Sequence, residues 1–210
     1  NFAEPVWENE KEWHDKIYVL EKEEEGYRWH AAGKLPKPIG YGMSVSYKGR
    51  VICMGGNDQA KVYSDVFSLN WDSKTKKVSI NSLPNLPVPC AFGQAVLVKD
   101  VIYVAGGQSQ NGLDSAMRNF WSLDLSLEGT KDFAWKILMP WPGPERALNI
   151  LTVQNDGRDD SVFLMSGRRN FKGNPEFLTD AYEFTPRKYN DSLFDSSTGF
   201  YDEDKKVGSP

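Results

Sequence analysis

The sequence predicts an all-β chain of repeated four-stranded units arranged radially as a β-propeller, and three observations carry that prediction. A hydrophobic strand closing on glycine recurs as Val51-Ile52-Cys53-Met54-Gly55-Gly56, as Val101-Ile102-Tyr103-Val104-Ala105-Gly106-Gly107, and in a worn copy as Val162-Phe163-Leu164-Met165-Ser166-Gly167. The copies return roughly every 50 to 60 residues, the spacing of kelch repeats. Each is followed by a polar residue leading an aromatic-rich strand: Asp65-Val66-Phe67-Ser68-Leu69, Asn119-Phe120-Trp121-Ser122-Leu123 and Asp180-Ala181-Tyr182-Glu183-Phe184. Between them, short apolar runs alternate with Gly, Pro, Asn and Asp, the pattern of strands joined by turns. One such sheet cannot bury both faces alone, so the units stack as blades.

Taken in order, Asp15-Lys16-Ile17-Tyr18-Val19-Leu20 is the aromatic strand of a repeat, with Trp29 behind it and no diglycine before it. The chain is therefore expected to open inside a blade. The first complete unit places strands at 42–47, 50–54, 66–70 and 77–81, with a turn at Lys48-Gly49. The second runs from Phe92 through 101–105 and 119–124 to 135–138. The third takes 147–153, an acidic hairpin at 156–160, then 162–165 and 180–184. No fourth strand follows, because 186–210 is polar and aperiodic. The expected organisation is about three blades plus partial blades over residues 1–190, then an irregular insertion or tail over 191–210. The glycines let each second strand bend tightly and let neighbouring backbone pass close by. Trp29 and Trp135 are expected to fill space between blades.

The totals exclude several classes of function. With 210 residues, 26% charged, and a net charge of −4, no basic excess draws nucleic acid or anionic lipid. No apolar run approaches the ~20 residues of a membrane span. Cys53 and Cys90 occupy different places in the repeat and read as buried free thiols. His14 and His30 lie beside tryptophans rather than at ligand spacing, so neither a metal nor another cofactor is expected. The run Glu21 to Glu25 reads as a solvated hairpin tip.

Candidate ligand residues follow from topology. In a four-stranded blade, loops joining strands two and three emerge on the same side as those joining strand four to the next strand one. The first class carries Asn57-Asp58-Gln59, Gln108-Ser109-Gln110 and Arg168-Arg169-Asn170; the second carries proline-marked segments that include Tyr41 and Arg146. Prolines hold such loops rigidly, and rigid polar loops around a propeller axis are a natural ligand rim. Arg146 and Arg168 can clamp a carboxylate, or can pair with Glu145 and Asp180. Asn57, Asp58 and Gln108 can bond sugar hydroxyls, or can serve as ordinary turn residues.

The strings Trp13-His14-Asp15-Lys16-Ile17-Tyr18-Val19-Leu20, Gly55-Gly56-Asn57-Asp58, Ala105-Gly106-Gly107-Gln108, Pro140-Trp141-Pro142-Gly143-Pro144-Glu145-Arg146-Ala147 and Phe177-Leu178-Thr179-Asp180-Ala181-Tyr182 together resemble the cyclically permuted mutarotase family of kelch proteins. These are relatives of the bacterial sialic acid (N-acetylneuraminate) mutarotase. The resemblance implies a six-bladed propeller, a periplasmic or secreted location, an acidic sugar such as sialic acid as ligand, and interconversion of its anomers. Anomer exchange needs an acid/base group near the ring oxygen and a cation for the carboxylate. The family's Gly-Glu-x-x-x-Pro-Gly-x-Arg segment, which supplies both, does not occur in this chain, and Ser166-Gly167-Arg168-Arg169 is the nearest positional equivalent. No catalytic residue is assigned. The alternative reading is a non-catalytic kelch module binding a glycan or protein. Six blades need roughly 300 residues or more, so the remaining blades are expected from the same parent chain or from a partner chain.

Overall fold

The computed structural model describes residues 11–186 and the short strands at 194–195 and 200–201. A hairpin comes first, β1 (Lys16–Glu23) with β2 (Gly26–Lys34). The first complete blade is β3 (Met43–Tyr47), β4 (Arg50–Met54), β5 (Val66–Asp72) and β6 (Lys77–Leu83), antiparallel in chain order. The second repeats it with β7 (Gln94–Val98), β8 (Val101–Ala105), β9 (Phe120–Asp124) and β10 (Lys136–Leu138). The third, among the described residues, has three strands, β11 (Ile150–Asn155), β12 (Asp160–Met165) and β15 (Ala181–Phe184). Its loop between strands two and three forms a hairpin of its own, β13 (Arg168–Phe171) with β14 (Asn174–Phe177). The pair β16 (Phe194–Asp195) and β17 (Phe200–Tyr201) completes the strands. The rest of the expected irregular segment 191–210 lies outside the described residues.

This is the kelch-type β-propeller architecture that the repeat predicts. Strand boundaries follow local chemistry: Lys48-Gly49, with φ of 45° and 79°, makes the two-residue turn between β3 and β4. The one helical turn in the region 108–119 is the 3-10 turn Leu113–Ser115.

Two apolar clusters hold the blades together. One joins Met43, Val45, Ile52 and Met54 of the first blade to Ile102, Val104, Trp121 and Leu123 of the second. The other joins Tyr103, Ala105 and Phe120 of the second to Leu151, Val162 and Leu164 of the third. Successive residues of β8 thus serve opposite clusters, which is why its sequence is a continuous apolar run with no polar face. Burying both faces of the middle blade is the main stabilising contribution, at about 25 cal/mol per Å² of apolar surface removed from water.

The diglycines sit where blades meet. Gly56 N–H donates to the Cys90 carbonyl and Gly107 N–H to that of Arg146, each at 2.8 Å. A Cβ on Gly55 would lie 2.1 Å from the Cys90 oxygen, and one on Gly106 2.1 Å from the Asn149 Oδ1, and both residues have positive φ. Both thiols are free, Cys53 half-buried and Cys90 buried, with burial pushing them up to about 11 and about 12.

Tryptophan packing follows the expectation at one position only. Trp135 packs on the first interblade cluster and donates its Nε1–H to the Pro84 carbonyl at 2.8 Å. Trp29 instead is 66% exposed, because β2 turns that residue away from the first blade. Trp141 is buried and donates to the Pro144 carbonyl. The acidic run is not simply solvated either: half-buried Glu21 bonds the Lys76 ammonium and the Trp71 indole, and His30 Nε2 lies 3.3 Å from both Glu21 and Glu23. Among the described residues no helix is long and apolar enough to cross a membrane.

Candidate functional site

The loop topology expected from the repeat is present. Asn57, Gln108 and Arg168 each follow a glycine, and each forms a reciprocal backbone bridge to the loop leading into its own blade, at Gly40, Ala91 and Ala147. All six N–H···O bonds of these bridges span 2.8–3.0 Å. Both loop classes therefore meet on one rim.

Directly after each bridged residue comes a left-handed, non-glycine residue: Tyr41 (φ 56°), Phe92 (φ 57°) and Leu148 (φ 57°). Such a conformation costs roughly 1–2 kcal/mol per residue, yet it recurs in three consecutive blades. Hydrogen bonds link the three in sequence, with Phe92 N–H donating to the Tyr41 carbonyl at 3.0 Å and Leu148 N–H to that of Phe92 at 2.7 Å. The Tyr41 and Phe92 rings stack with centroids 4.2 Å apart. Tyr41 and Leu148 are each 45% exposed, and Lys11 Nζ lies 5.3 Å from the Tyr41 ring centre. Strain held at repeated, exposed positions is a pointer to function.

The predicted ligand residues divide. Asn57 is buried and donates its Nδ2–H to Asn111 Oδ1 at 2.8 Å. Asp58 accepts from the Ala60 and Lys61 amides at 2.8 and 2.9 Å and from the Tyr63 hydroxyl, and the Tyr63 bond is the main cause holding its carboxyl below the usual range. Gln108 is buried and donates to the Gln110 carbonyl at 2.9 Å. Asp58 and Gln108 hold their own turns, the plainer of their two readings, whereas Asn57 ties its loop to that of the next blade. Asn111, reaching the Asp58 and Gln59 carbonyls, and Asn170, bonded to Asp114, strap each loop to its neighbour.

Arg146 occupies in the third blade the place of Cys90 in the second. Cys90 Sγ–H points at the Gly106 carbonyl, and Arg146 Nη1–H donates to Ser166, which stands where that glycine stood. The guanidinium is fully buried, forks onto both Asp180 oxygens at 2.9 and 2.8 Å, and lies between the Trp141 and Tyr182 rings at 5.3 and 5.4 Å. Of the two readings open for Arg146, the geometry fits pairing with Asp180. Glu145 pairs with Arg169, which also bonds Glu176.

Arg168 differs. Like that of Arg146, its Nε is buried without a hydrogen-bond partner, but among the described residues its guanidinium forms no ion pair. Among the described residues, Arg168 offers this rim a guanidinium without an ion pair, and the Tyr41–Phe92 pair offers a partly exposed aromatic platform. Sequence reasoning named Tyr41 and Arg168 but passed over Phe92, Leu148 and Lys11. The repeat alignment Gly40-Tyr41-Gly42, Ala91-Phe92-Gly93, Ala147-Leu148-Asn149 carried the signal for the first two; nothing local flagged Lys11. Glu21, Glu23 and His30 bring ligand-type atoms within 4.8 Å of one another away from this rim, but the Lys76 ammonium already neutralises Glu21 there.

Comparison with known proteins bears out the resemblance. A family model described as N-acetylneuraminate epimerase matches residues 3–80. The N-acetylneuraminate epimerase of Haemophilus influenzae (strain PittEE) is 38% identical over 65 residues, 30% of this chain and 16% of that protein. That of Yersinia pestis (strain Pestoides F) is 40% identical over 63 residues, 30% of this chain and 15% of its own length. A solved structure of YjhT superposes with a TM-score of 0.58 at 18% identity, covering 84% of this chain and 60% of that one, a likeness of fold.

Proposed function

We propose, from the match of residues 3–80 to the family model described as N-acetylneuraminate epimerase, that the chain forms part of a sialic acid mutarotase and supplies part of that enzyme's ligand rim. The family match carries this reading. Arg168 is assigned to the sugar's carboxylate, because a guanidinium without a counter-charge gains most from a bidentate anion. The Tyr41–Phe92 stack is assigned to the apolar face of the sugar ring. With this reading goes a periplasmic or secreted location, which cell fractionation tests.

Calorimetric titration with sialic acid and with a neutral sugar tests the site. Arg168→Ala is expected to weaken sialate binding by about 1.5–3 kcal/mol, the range for a charged hydrogen bond, and to leave the neutral sugar nearly unchanged. Equal losses for both sugars, or none, remove Arg168 from the site. Proton NMR of freshly dissolved sialic acid tests the activity: faster anomer equilibration than in buffer is the expected result. A second reading, binding without catalysis, is favoured by the carboxylates near Arg168 in sequence, since Glu145 and Glu176 are both engaged by Arg169. Under it, sialate binds and equilibration is not accelerated.

A further inference from the structure

Near the tip of the β1–β2 hairpin, away from the rim, three side chains bring metal-ligand atoms together. β1 alternates, so Glu21 and Glu23 share the face turned toward the first blade, and the register that sets Val19 against His30 puts the imidazole beside both carboxylates. His30 Nε2 lies 3.3 Å from Glu21 Oε2 and 3.3 Å from Glu23 Oε1. It is buried, yet it hydrogen-bonds neither oxygen nor any other described atom. We propose that Glu21, Glu23 and His30 form a tetrahedral zinc site that pins the two strands of this hairpin together, with water as the fourth ligand. The proposal does not depend on the sugar reading.

Spacing is the first reason to read a metal site rather than a plain ion pair. Ligands about 2.0 Å from a tetrahedral zinc stand about 3.3 Å from one another, which is the separation of the imidazole nitrogen from each carboxylate oxygen. All three atoms fall within 4.8 Å of one another, and a small rotation of Glu23, the most exposed of the three side chains, brings the two carboxylates to the same spacing. The second reason is the way the carboxylates are held. Each turns one oxygen to the centre and has the other engaged from outside: Glu21 Oε1 accepts from the Trp71 indole at 3.4 Å, and Glu23 Oε2 lies 3.3 Å from Arg28 Nε. Outer partners of this kind orient ligating carboxylates.

The third reason is that a cation is already drawn to the spot. Lys76 Nζ bonds Glu21 Oε2 and lies 4.0 Å from Glu23 Oε1. With the ammonium there, the imidazole nitrogen stays unpartnered; a divalent ion takes a lone pair from all three groups. Lys76, with its side chain 42% exposed, can return to water as the ion enters. One imidazole with two carboxylates suits zinc better than calcium or magnesium, which take oxygen ligands throughout. Spacing along the chain hid this set, because the hairpin register assembles it.

Zinc titrated into the full 210-residue protein and followed by calorimetry tests the site. Saturable one-to-one binding is expected, and His30→Ala and Glu23→Gln are each expected to weaken it by at least about tenfold. Lys76→Met removes the competing ammonium and is expected to tighten it severalfold. Cobalt(II) is the second probe: on the unmodified protein it is expected to show the strong visible absorption of a tetrahedral site, and that spectrum decides should a variant not fold. Absence of zinc binding to the unmodified protein overturns the proposal and leaves the cluster an ion pair with Lys76. So does binding that His30→Ala, Glu23→Gln and Lys76→Met leave unchanged, which marks an adventitious ion only, and so does the weak absorption of octahedral cobalt.

Discussion

Arg146 and Arg168 lie on the same blade, looked equivalent in the sequence, and have opposite surroundings. Arg146 is sealed beneath the rim with Asp180 as its counter-ion, whose side chain keeps 32% of its exposure. That asymmetry makes the cost of breaking the pair depend on which partner goes. Asp180→Ala strands a buried guanidinium and is expected to cost about 3 kcal/mol. Arg146→Met leaves a carboxylate that can reach water and is expected to cost clearly less, as read from urea midpoints. The pair also sets a pH dependence. Hydrogen bonds from Arg146 hold the Asp180 carboxyl below its usual range, so the ionised form favours the folded state. Its contribution is complete above the ordinary carboxylate value of about 3.9 and is lost as pH falls through the lower, folded-state value. The stability gap between the parent chain and Asp180→Ala should therefore close in acid and stay constant from pH 5 to 8 on the ~pH scale where carboxylates are ionised.

Elements report how far the sequence could be read. The eleven strands of the three blades follow apolar runs and glycine punctuation, and these were legible because propensity, pattern and burial agree. The β13–β14 hairpin was not: Arg168-Arg169-Asn170-Phe171 has no apolar alternation, and its pairing rests on the backbone ladder and on Arg169 with Glu176. Its turn, Lys172-Gly173 with φ of 52° and 81°, repeats the Lys48-Gly49 signal, but polar flanks hid it. Within the site, the roles of Asn57 and Gln108 depended on partners such as Asn111 that sequence distance conceals. The glycine motif yields a paired prediction. Gly55→Ala places a Cβ 2.1 Å from the Cys90 oxygen at a left-handed φ and is expected to cost about 2–4 kcal/mol, strain and overpacking together. Ser166, at φ 58° in the same motif position but exposed, has the strain without the clash. Ser166→Gly is expected to raise stability by about 0.5–1 kcal/mol, measured by thermal or urea unfolding.

At the scale of the molecule, stability comes from blade faces, and one face has nothing against it among the described residues. The β1–β2 hairpin turns Ile17 and Val19 toward the first blade, while the opposite face carries Tyr18 and Leu20 of one strand and Tyr27 and Trp29 of the other. Leu20 stands directly across from Trp29, and the four side chains are 47–71% exposed. Trp29 sits late in its hairpin much as Trp135 sits in the second blade, and Trp135 spends its indole on a preceding blade. An aromatic face of this kind is an association surface when water is its only alternative. The 210-residue chain is accordingly expected to self-associate, with a sedimentation coefficient that rises with concentration and a melting temperature that rises with it by mass action. Leu20→Ser combined with Trp29→Ser should remove most of that dependence while leaving the two interblade clusters intact, since neither residue belongs to them. A parent chain that sediments as a monomer at every concentration, with a sharp and concentration-independent melt, contradicts the assignment of this face to another blade or chain.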